Sequence, residues 1–128
     1  MKFYDEEHEN FYNEKLKLLS VKDPYRESLF YVLGLMEDTR KHFNRIYDTK
    51  EKAIIPEVLD EPWQTGGTLA IVRLGFNLYN GYVGNEKYKK DDEEATEKAS
   101  YYAVDEIFQY REFAEYFYEA IKIRFEMI

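Results

Sequence analysis

The stretch WQTGGTLAIVRLGFNLYNG, residues 63–81, decides the fold of this chain. It begins with a turn rich in Gly and Thr, in which Thr65 or Thr68 can cap a helix. The following residues are almost wholly apolar up to about Asn80, and Gly81 then supplies the left-handed conformation that helix C-termini favour. A helix that is apolar on nearly every side is expected near the centre of a helical domain.

Three polar side chains interrupt this apolar helix along one side. Arg73, Asn77 and Asn80 follow steps of three and four residues, so they share a face. A buried polar or charged group without a partner is costly, so each of them must be paired. For Arg73 the partner is either an internal carboxylate, such as Glu37, Asp38 or a Glu of a late helix, or a bound molecule. The sequence leaves both alternatives open.

The turn before the helix adds further candidates for a binding site. Trp63 can stack on a base or on another ring. Gln64, Thr65 and the free backbone N–H groups of residues 66–69 can hold an anion at the positive end of the helix. Arg73 offers five donors in a planar fork that suits carboxylate or phosphate. With the polar face of the helix, these groups form a candidate pocket for a nucleotide or for an acidic side chain of a partner.

Helical periodicity continues on both sides of this stretch. Residues 3–19 are predicted to form the first helix. The second begins after Asp23, which can cap it, and keeps its period over more than six turns, with Gly34 as a point of bending or division. The helical pattern resumes at Val104. The buried stripe of the last helix is predicted to contain Tyr110, Ala114, Phe117, Ile121 and Phe125.

The predicted fold class is all-α. We expect a compact single-domain bundle of four to five helices over residues 1–128, with a mobile charged loop at about 82–100 before the last helices. Residues 48–68 are expected to be irregular apart from one helical turn at 56–59, and no run of alternating β-branched residues is long enough for a confident strand.

The composition indicates a substantial core and excludes cysteine chemistry. Apolar residues make up 45% of the 128 residues and aromatic residues 18%, which argues against disorder. Without Cys there are no disulfides, zinc–thiolate sites or cysteine nucleophiles, and a cytoplasmic location is favoured. No apolar run approaches ~18 residues and the N-terminus is acidic, so neither a membrane span nor a signal peptide is expected.

The net charge of −8 is carried by clusters of acids. A protein that binds duplex DNA normally has a basic stripe, so direct binding of this kind is not expected. An acidic surface can instead dock on a basic patch of another protein, including a patch that serves nucleic acid. The acidic clusters are Asp5, Glu6, Glu7 and Glu9; Glu57, Asp60 and Glu61; and Asp91, Asp92, Glu93 and Glu94, of which the last four are the main docking candidates.

Two histidines each follow an aspartate at helical spacing, His8 after Asp5 and His42 after Asp38. Such a pair can ligate a metal or act as a base with its orienting group. A metal site in a helical bundle needs matched carboxylates on facing helices, and the apolar stripes carry no such set. We therefore predict no metal site, no cofactor and no catalytic residue, and place both histidines at packed edges of the core. The serines lie in no elbow or triad context, so an enzyme is the least favoured class.

Four segments carry a resemblance that runs nearly end to end: HFNRIYD (42–48), WQTGGT (63–68), VRLGFNLYNG (72–81) and FYEAIKIRF (117–125). The chain resembles a domain-of-unknown-function family of short helical proteins, encoded mostly by Firmicutes phages and mobile elements. WQTG and RLxFNLxNG are the most specific parts, although Gly67 stands where relatives usually have Thr or Ser. The resemblance implies a genomic setting and no chemistry. Small acidic proteins of such elements often bind and block a host defence system.

These observations favour a non-enzymatic inhibitor or adaptor that binds a host protein with a basic surface, such as a CRISPR effector or another nuclease. The first alternative is a protein that binds a nucleotide or signalling molecule in the pocket. The second alternative is a structural homodimer module. Membrane-surface binding is not expected, because no helix has a basic polar face. The residues that would form the pocket are Trp63, Gln64, Thr65, Arg73, Asn77 and Asn80.

Overall fold

The computed structural model describes residues 1–84 and 97–127, and this part of the chain is mostly helical. The predicted all-α class is therefore confirmed in broad terms. The α-helices of these two ranges are α1 (Glu6–Leu16), α2 (Pro24–Leu33), α3 (Glu37–Lys41), α4 (Phe43–Ile46), α5 (Gly66–Asn80), α6 (Val104–Phe108) and α7 (Ala114–Arg124). Two short strands, β1 (Tyr47–Asp48) and β2 (Ala53–Ile54), and two 3-10 helices, Pro56–Asp60 and Ala99–Tyr102, lie between them.

Helix α1 is shorter than the predicted span of 3–19. It starts where the Asp5 carboxylate accepts a hydrogen bond from the backbone N–H of His8 at 2.8 Å, which satisfies one of the unpaired N–H groups of the first turn. Residues 1–4 run along the protein as an extended segment instead. Phe3 packs its ring on His8, and the Lys2 carbonyl accepts the hydroxyl of Tyr31 at 2.5 Å.

The long second helix of the prediction is divided into α2, α3 and α4. Asp23 caps α2 as expected, its carboxylate accepting the N–H of Arg26 at 3.1 Å. The helix ends at Gly34, where α1 passes so close that a Cβ would lie 2.7 Å from the His8 ring and 2.9 Å from the Phe11 ring. Thr39 of α3 connects this helix to the end of α2, because its hydroxyl donates a hydrogen bond to the Leu33 carbonyl at 2.7 Å.

A small antiparallel hairpin, which the sequence did not predict, follows α4. Strand β1 pairs with β2 so that Tyr47 faces Ile54. Asp48 forms the turn, its carboxylate accepting the N–H groups of Lys50 and Glu51 at 2.9 and 3.0 Å. The strands have only two residues each, too few for a period-2 pattern to be visible. The helical turn predicted at 56–59 is confirmed as the first 3-10 helix.

Helix α5 has the boundaries that the sequence predicts. The Thr65 hydroxyl accepts the N–H of Thr68 at 3.2 Å, and the Thr68 hydroxyl accepts the N–H of Thr65 at 2.7 Å, so the two form a reciprocal capping box. Gly81 ends the helix in the left-handed conformation, with φ 78°. Gly75 allows α5 to approach α2 closely, since a Cβ there would lie 2.8 Å from Leu29.

The core lies between α2, α5 and α7. Helix α2 packs against α1, α5 and α7, and all of its residues from Ser28 to Leu33 are buried, so it shares the central position that is predicted for α5 alone. The buried stripe of α7 also differs from the prediction. Phe117 is fully buried, but Phe125 is 58% exposed and Ala120 is buried in its place. Among the described residues no helix is long and apolar enough to cross a membrane.

Most of the predicted charged loop, including the docking candidates Asp91, Asp92, Glu93 and Glu94, lies outside the described residues. The two described ends of this segment meet. Gly84 has φ 101°, and a Cβ on it would lie 2.6 Å from the carbonyl oxygen of Glu97. Both the backbone conformation and the close approach therefore require glycine at this position. Glu97 itself is buried, so the C-terminal end of the predicted mobile loop belongs to the packed protein.

Candidate functional site

Arg73 has an internal partner. On α5 it projects towards the second 3-10 helix, where its Nε donates to Glu97 Oε1 at 2.9 Å and its Nη2 donates to Glu97 Oε2 at 2.7 Å. The Arg73 side chain is 17% exposed and that of Glu97 is 5% exposed. This parallel two-point geometry is the strong form of an arginine–carboxylate pair. It joins α5 to the segment that starts the C-terminal part of the chain.

Two tyrosines complete this pair, and we call Arg73, Glu97, Tyr101 and Tyr102 the Arg73 cluster. The Tyr102 hydroxyl donates to Glu97 Oε1 at 2.7 Å, and the Tyr101 ring lies 4.7 Å from the Arg73 guanidinium carbon. Burial, reinforced by the hydrogen bond to Glu97, raises the pKa of Tyr102. Burial alone would lower the pKa of Arg73, but the hydrogen bond and charge of Glu97 outweigh it and raise that pKa. At neutral pH Tyr102 is a protonated donor and Arg73 a cation.

The internal partner of Arg73 is not one of those that the sequence suggested. Glu37 is exposed, and the Asp38 carboxylate lies 3.8 Å from Lys41. The pair that forms instead links residues 24 positions apart. No local signal distinguishes Glu97 from the acids that precede it, so sequence reasoning missed it.

The two asparagines of the α5 face hold the chain that leaves the helix. Asn77 donates its Nδ2 to the Tyr82 carbonyl at 3.2 Å, and the Asn80 carboxamide oxygen accepts the Tyr82 N–H at 3.1 Å. Both amides therefore act on the backbone of one residue just after the helix C-terminus. Tyr82 is thereby placed against Phe76 and Tyr102, with ring centroids 5.8 and 5.9 Å away.

The groups before α5 are also engaged within the protein. Trp63 stacks on His42 with ring centroids 3.9 Å apart and planes 1° from parallel, and its Nε1 donates to Glu61 at 2.7 Å. Gln64 donates to the Val58 carbonyl at 3.1 Å and accepts the Thr68 hydroxyl at 2.7 Å. Thr65 serves as the helix cap. The six predicted pocket residues thus lie along α5 and its entry, but the structure directs them to internal partners.

An exposed ion pair lies beside Trp63. Arg45 donates from both Nε and Nη2 to the Glu61 carboxylate, which also accepts the Trp63 indole. The Arg45 hydrogen bond, supported by that of Trp63, lowers the pKa of Glu61 to about 2 against the opposing effect of burial. Glu61, one of the predicted acidic cluster, is therefore committed within the protein. Glu57 and Asp60 remain exposed.

His8 lies in the core and not at a packed edge as predicted. It is fully buried, its Nδ1 accepting the Tyr4 N–H at 3.0 Å and its Nε2 lying 2.7 Å from the Tyr31 carbonyl. This arrangement fits the neutral ring with its proton on Nε2. Burial lowers the pKa of His8 in spite of the Tyr31 carbonyl and Asp5. Within residues 1–84 and 97–127, no group of three His, Asp or Glu residues is arranged to hold a metal ion.

Arg26 forms a second polar centre that the sequence did not indicate. Its Nε donates to the Tyr47 hydroxyl at 2.8 Å, and its Nη1 donates to the Asp23 carboxylate at 2.7 Å. Its Nη2 donates to the Lys52 carbonyl and the Tyr79 hydroxyl at 2.7 and 3.0 Å. A depression of about 210 Å³ next to this centre is lined in part by Arg26. The Nε, Nη1 and Nη2 atoms of Arg26 already donate the hydrogen bonds given above. Arg26 therefore joins α2, the hairpin and α5.

Acidic residues of two segments, one next to Tyr4 in sequence and one in contact with it, form what we call the acidic face. The Tyr4 hydroxyl donates to Glu112 just before α7, while Lys2 forms an ion pair with Glu115 at 3.0 Å. Burial, followed by the charge of Glu115 and with a contribution from Asp5, raises the pKa of Tyr116 beside them. Two acidic segments that are distant in sequence are thereby brought together. The acidic face consists of Asp5, Glu6, Glu7, Glu9, Glu112 and Glu115, all exposed.

The fold and these sites define a small, mostly helical domain. Most of the polar side chains described above form hydrogen bonds or ion pairs with other groups of the same chain. The chain belongs to a family of unknown function, DUF6075, whose model matches residues 1–127. This confirms the predicted membership of an uncharacterised family. No curated protein matches the chain. No solved structure matches it either.

Proposed function

We propose that this protein is a non-enzymatic binding protein that docks on the basic surface of another protein. The observation that carries the proposal is the acidic face around Tyr4. Its carboxylates belong to residues 5–9, around the start of α1, and to residues 112–115, around the start of α7, and Lys2 and Arg111 are the bases closest to them in sequence. Such a surface complements a positive patch and accelerates encounter with it, while repelling other acidic proteins.

A surface that binds nucleic acid is the basic protein patch that an acidic face fits best, because it is built to neutralise closely spaced negative charges. The partner in this proposal is a host nucleic-acid-handling or defence protein, such as a CRISPR effector or another nuclease. The protein would come from a phage or mobile element and act in the host cytoplasm. By covering the nucleic-acid path of its partner it would inhibit it, in the manner of an anti-CRISPR protein.

The two alternative functions have less support. A ligand site at residues 63–80 requires polar groups that are available to a ligand, and Arg73, Asn77 and Gln64 have internal partners. A homodimer through the acidic face would bring like charges together, which is unfavourable. An enzyme would need a nucleophile or acid–base pair in a cleft, and the geometry of the described residues supplies none that we can assign.

The test is partner capture followed by kinetics on charge variants. The protein is used to capture its partner from host extract, and association with the purified partner is then measured by surface plasmon resonance at several salt concentrations. Replacement of Glu6, Glu7 and Glu9 by Gln should slow association by about tenfold or more, and added salt should slow the wild-type protein likewise. Nuclease activity of the partner with and without the protein reports inhibition.

The matched control neutralises an equal number of exposed acids elsewhere, Glu51→Gln, Glu57→Gln and Asp60→Asn. This variant should associate like the wild type. A third variant, with Asp91, Asp92, Glu93 and Glu94 all neutralised, reports on the acids outside the described residues. Equal association rates for the acidic-face variant and its control would contradict the proposal.

A further inference from the structure

A groove of about 400 Å³ opens between α5, α6 and α7. Its walls are apolar, formed by Leu78 of α5, Ile107 and Phe108 of α6 and Ile121 of α7. Small-molecule sites typically occupy about 300–1,000 Å³ and have apolar walls with a few polar groups. The groove therefore has the size and lining of a site for a small ligand.

The polar group that distinguishes this groove is the guanidinium of Arg124. Its Nε donates to the Leu78 carbonyl at 2.7 Å, and its guanidinium carbon lies 3.8 Å from the Tyr25 ring centroid and 4.7 Å from that of Phe125. The side chain is thus held by one hydrogen bond and two aromatic rings. A guanidinium fixed in this way loses little conformational freedom when it binds an anion.

Arg124 also differs from Arg26 and Arg73, two other partly buried arginines, in what balances its charge. Arg26 and Arg73 each form an ion pair with a carboxylate, Asp23 and Glu97. Across residues 1–84 and 97–127, no carboxylate lies within ion-pair distance of Arg124. Within the described residues, Arg124 is thus a cation at the edge of an apolar groove, and no carboxylate of these residues pairs with it.

We infer that this groove binds a small carboxylate that carries an aromatic or branched apolar group. The carboxylate would accept hydrogen bonds from the Arg124 guanidinium, since a planar fork and a carboxylate match in geometry. The apolar group would lie against Leu78, Ile107 and Ile121, where its burial is favourable. Asn77 also lines the groove, but its Nδ2 donates to the Tyr82 carbonyl, so Arg124 is the polar group assigned to the ligand. This inference does not rest on the proposed function.

The probe for the test is 3-phenylpropionate, and its uncharged control is 3-phenylpropionamide, which has the same shape. Binding to the full chain is followed by two-dimensional NMR of the backbone amides. We expect saturable shifts at Leu78, Ile107 and Ile121, with the acid bound about tenfold more tightly than the amide, because a charge-assisted hydrogen bond is stronger than a neutral one. Equal affinities, or no saturable shift at millimolar acid, would overturn the inference.

A matched pair of variants tests the location. Val104 and Val21 are each 73% exposed, but only Val104 lines the groove. Val104→Trp should weaken binding of 3-phenylpropionate by tenfold or more, because the larger side chain would occupy space in the groove that the ligand needs. Val21→Trp should leave it unchanged. Equal binding by the two variants would overturn the assignment to this groove, and thermal melting of both checks that the fold is kept.

Discussion

At the scale of single residues, the guanidinium of Arg73 is contacted by groups of the same protein that leave little room for an outside molecule to bind it. Glu97 contacts it from one side and the Tyr101 ring from another, and Tyr102 holds Glu97 in place. Removing one member of such a buried pair leaves the other charge unpaired, which costs much more than the pair contributes.

Arg73→Ala should therefore destabilise the protein by about 3–5 kcal/mol, because Glu97 would remain buried without its partner. Arg45→Ala is the matched control, since Arg45 is 63% exposed and makes the same kind of two-point contact with Glu61. We expect it to cost less than about 1 kcal/mol. Urea unfolding of both variants gives the two values. A similar small cost for Arg73→Ala would show that the cluster does not stabilise the fold.

His8 gives the protein a dependence on acid. The folded state lowers the pKa of His8, so the unfolded state binds its proton more readily. The free energy of unfolding should be greatest above the unfolded pKa of about 6.5 and should fall as the pH drops below it, until the folded pKa is reached. Asp5 opposes this shift and Arg40 adds to it, so variants at either residue change its size.

Stability curves measured between pH 7 and 5 test this dependence on acid, where few carboxylates titrate. His8→Gln should be less stable but should lose most of the slope in this range. His42→Gln, which removes the other imidazole of the chain, should keep it. A wild-type protein as stable at the lower pH as at the higher would contradict the assignment of a neutral buried ring.

At the scale of elements, packing of α1 against the end of α2 is fixed by the absence of a side chain at Gly34. Gly34→Ala would place its Cβ 2.7 Å from the His8 ring, and the neighbouring Phe11 leaves no room for the ring to move. We expect a loss of about 1–3 kcal/mol, as for other overpacked sites. Thermal melting measures it.

Gly67→Ala is the matched control for this substitution. A Cβ at Gly67 would meet Met36 Sδ at 3.6 Å and Thr65 Oγ1 at 4.0 Å, which are ordinary contacts. Because Ala is a better helix former than Gly by up to about 1 kcal/mol, this variant should be neutral or more stable. Equal losses for the two variants would show that the close approach of α1 is not the cause.

The elements that the sequence predicts best are those set by neighbouring residues. Asp23, Thr65 and Gly81 cap or end their helices as expected, because each acts within four residues of itself. The features that the sequence does not predict depend on contacts between residues that are distant in sequence. After α2, Thr39 and Arg40 donate hydrogen bonds to the Leu33 and Gly34 carbonyls, and the partner of Arg73 lies 24 residues away from it. Arg73, Asn77 and Asn80 all belong to α5, but the partners of their side chains are set by tertiary structure.

At the scale of the whole molecule, α2 links the parts of the fold into one core. It contacts α1, α5 and α7, and its Arg26 reaches the hairpin and Tyr79 of α5. Domains of this size with a shared core usually unfold in one transition.

Unfolding by urea should therefore give the same midpoint by two independent signals. Trp63 is the only tryptophan and reports the region between α4 and α5, while circular dichroism at helical wavelengths reports all helices. Coincident curves are expected because the stack on His42 rests on the same core. If the Trp63 signal is lost at a lower urea concentration, this side of the molecule unfolds independently.

The contact between Gly84 and the backbone of Glu97 has a consequence for how the family can diverge. Gly84 and Glu97 lie in close backbone contact, so these two positions are held together whatever the number of residues between them. The entropic cost of joining two fixed points rises only slowly with the number of residues that connect them, so the contact sets only a weak limit on that number. We therefore expect homologues to differ in the number of residues between Gly84 and Glu97 while the glycine itself is kept.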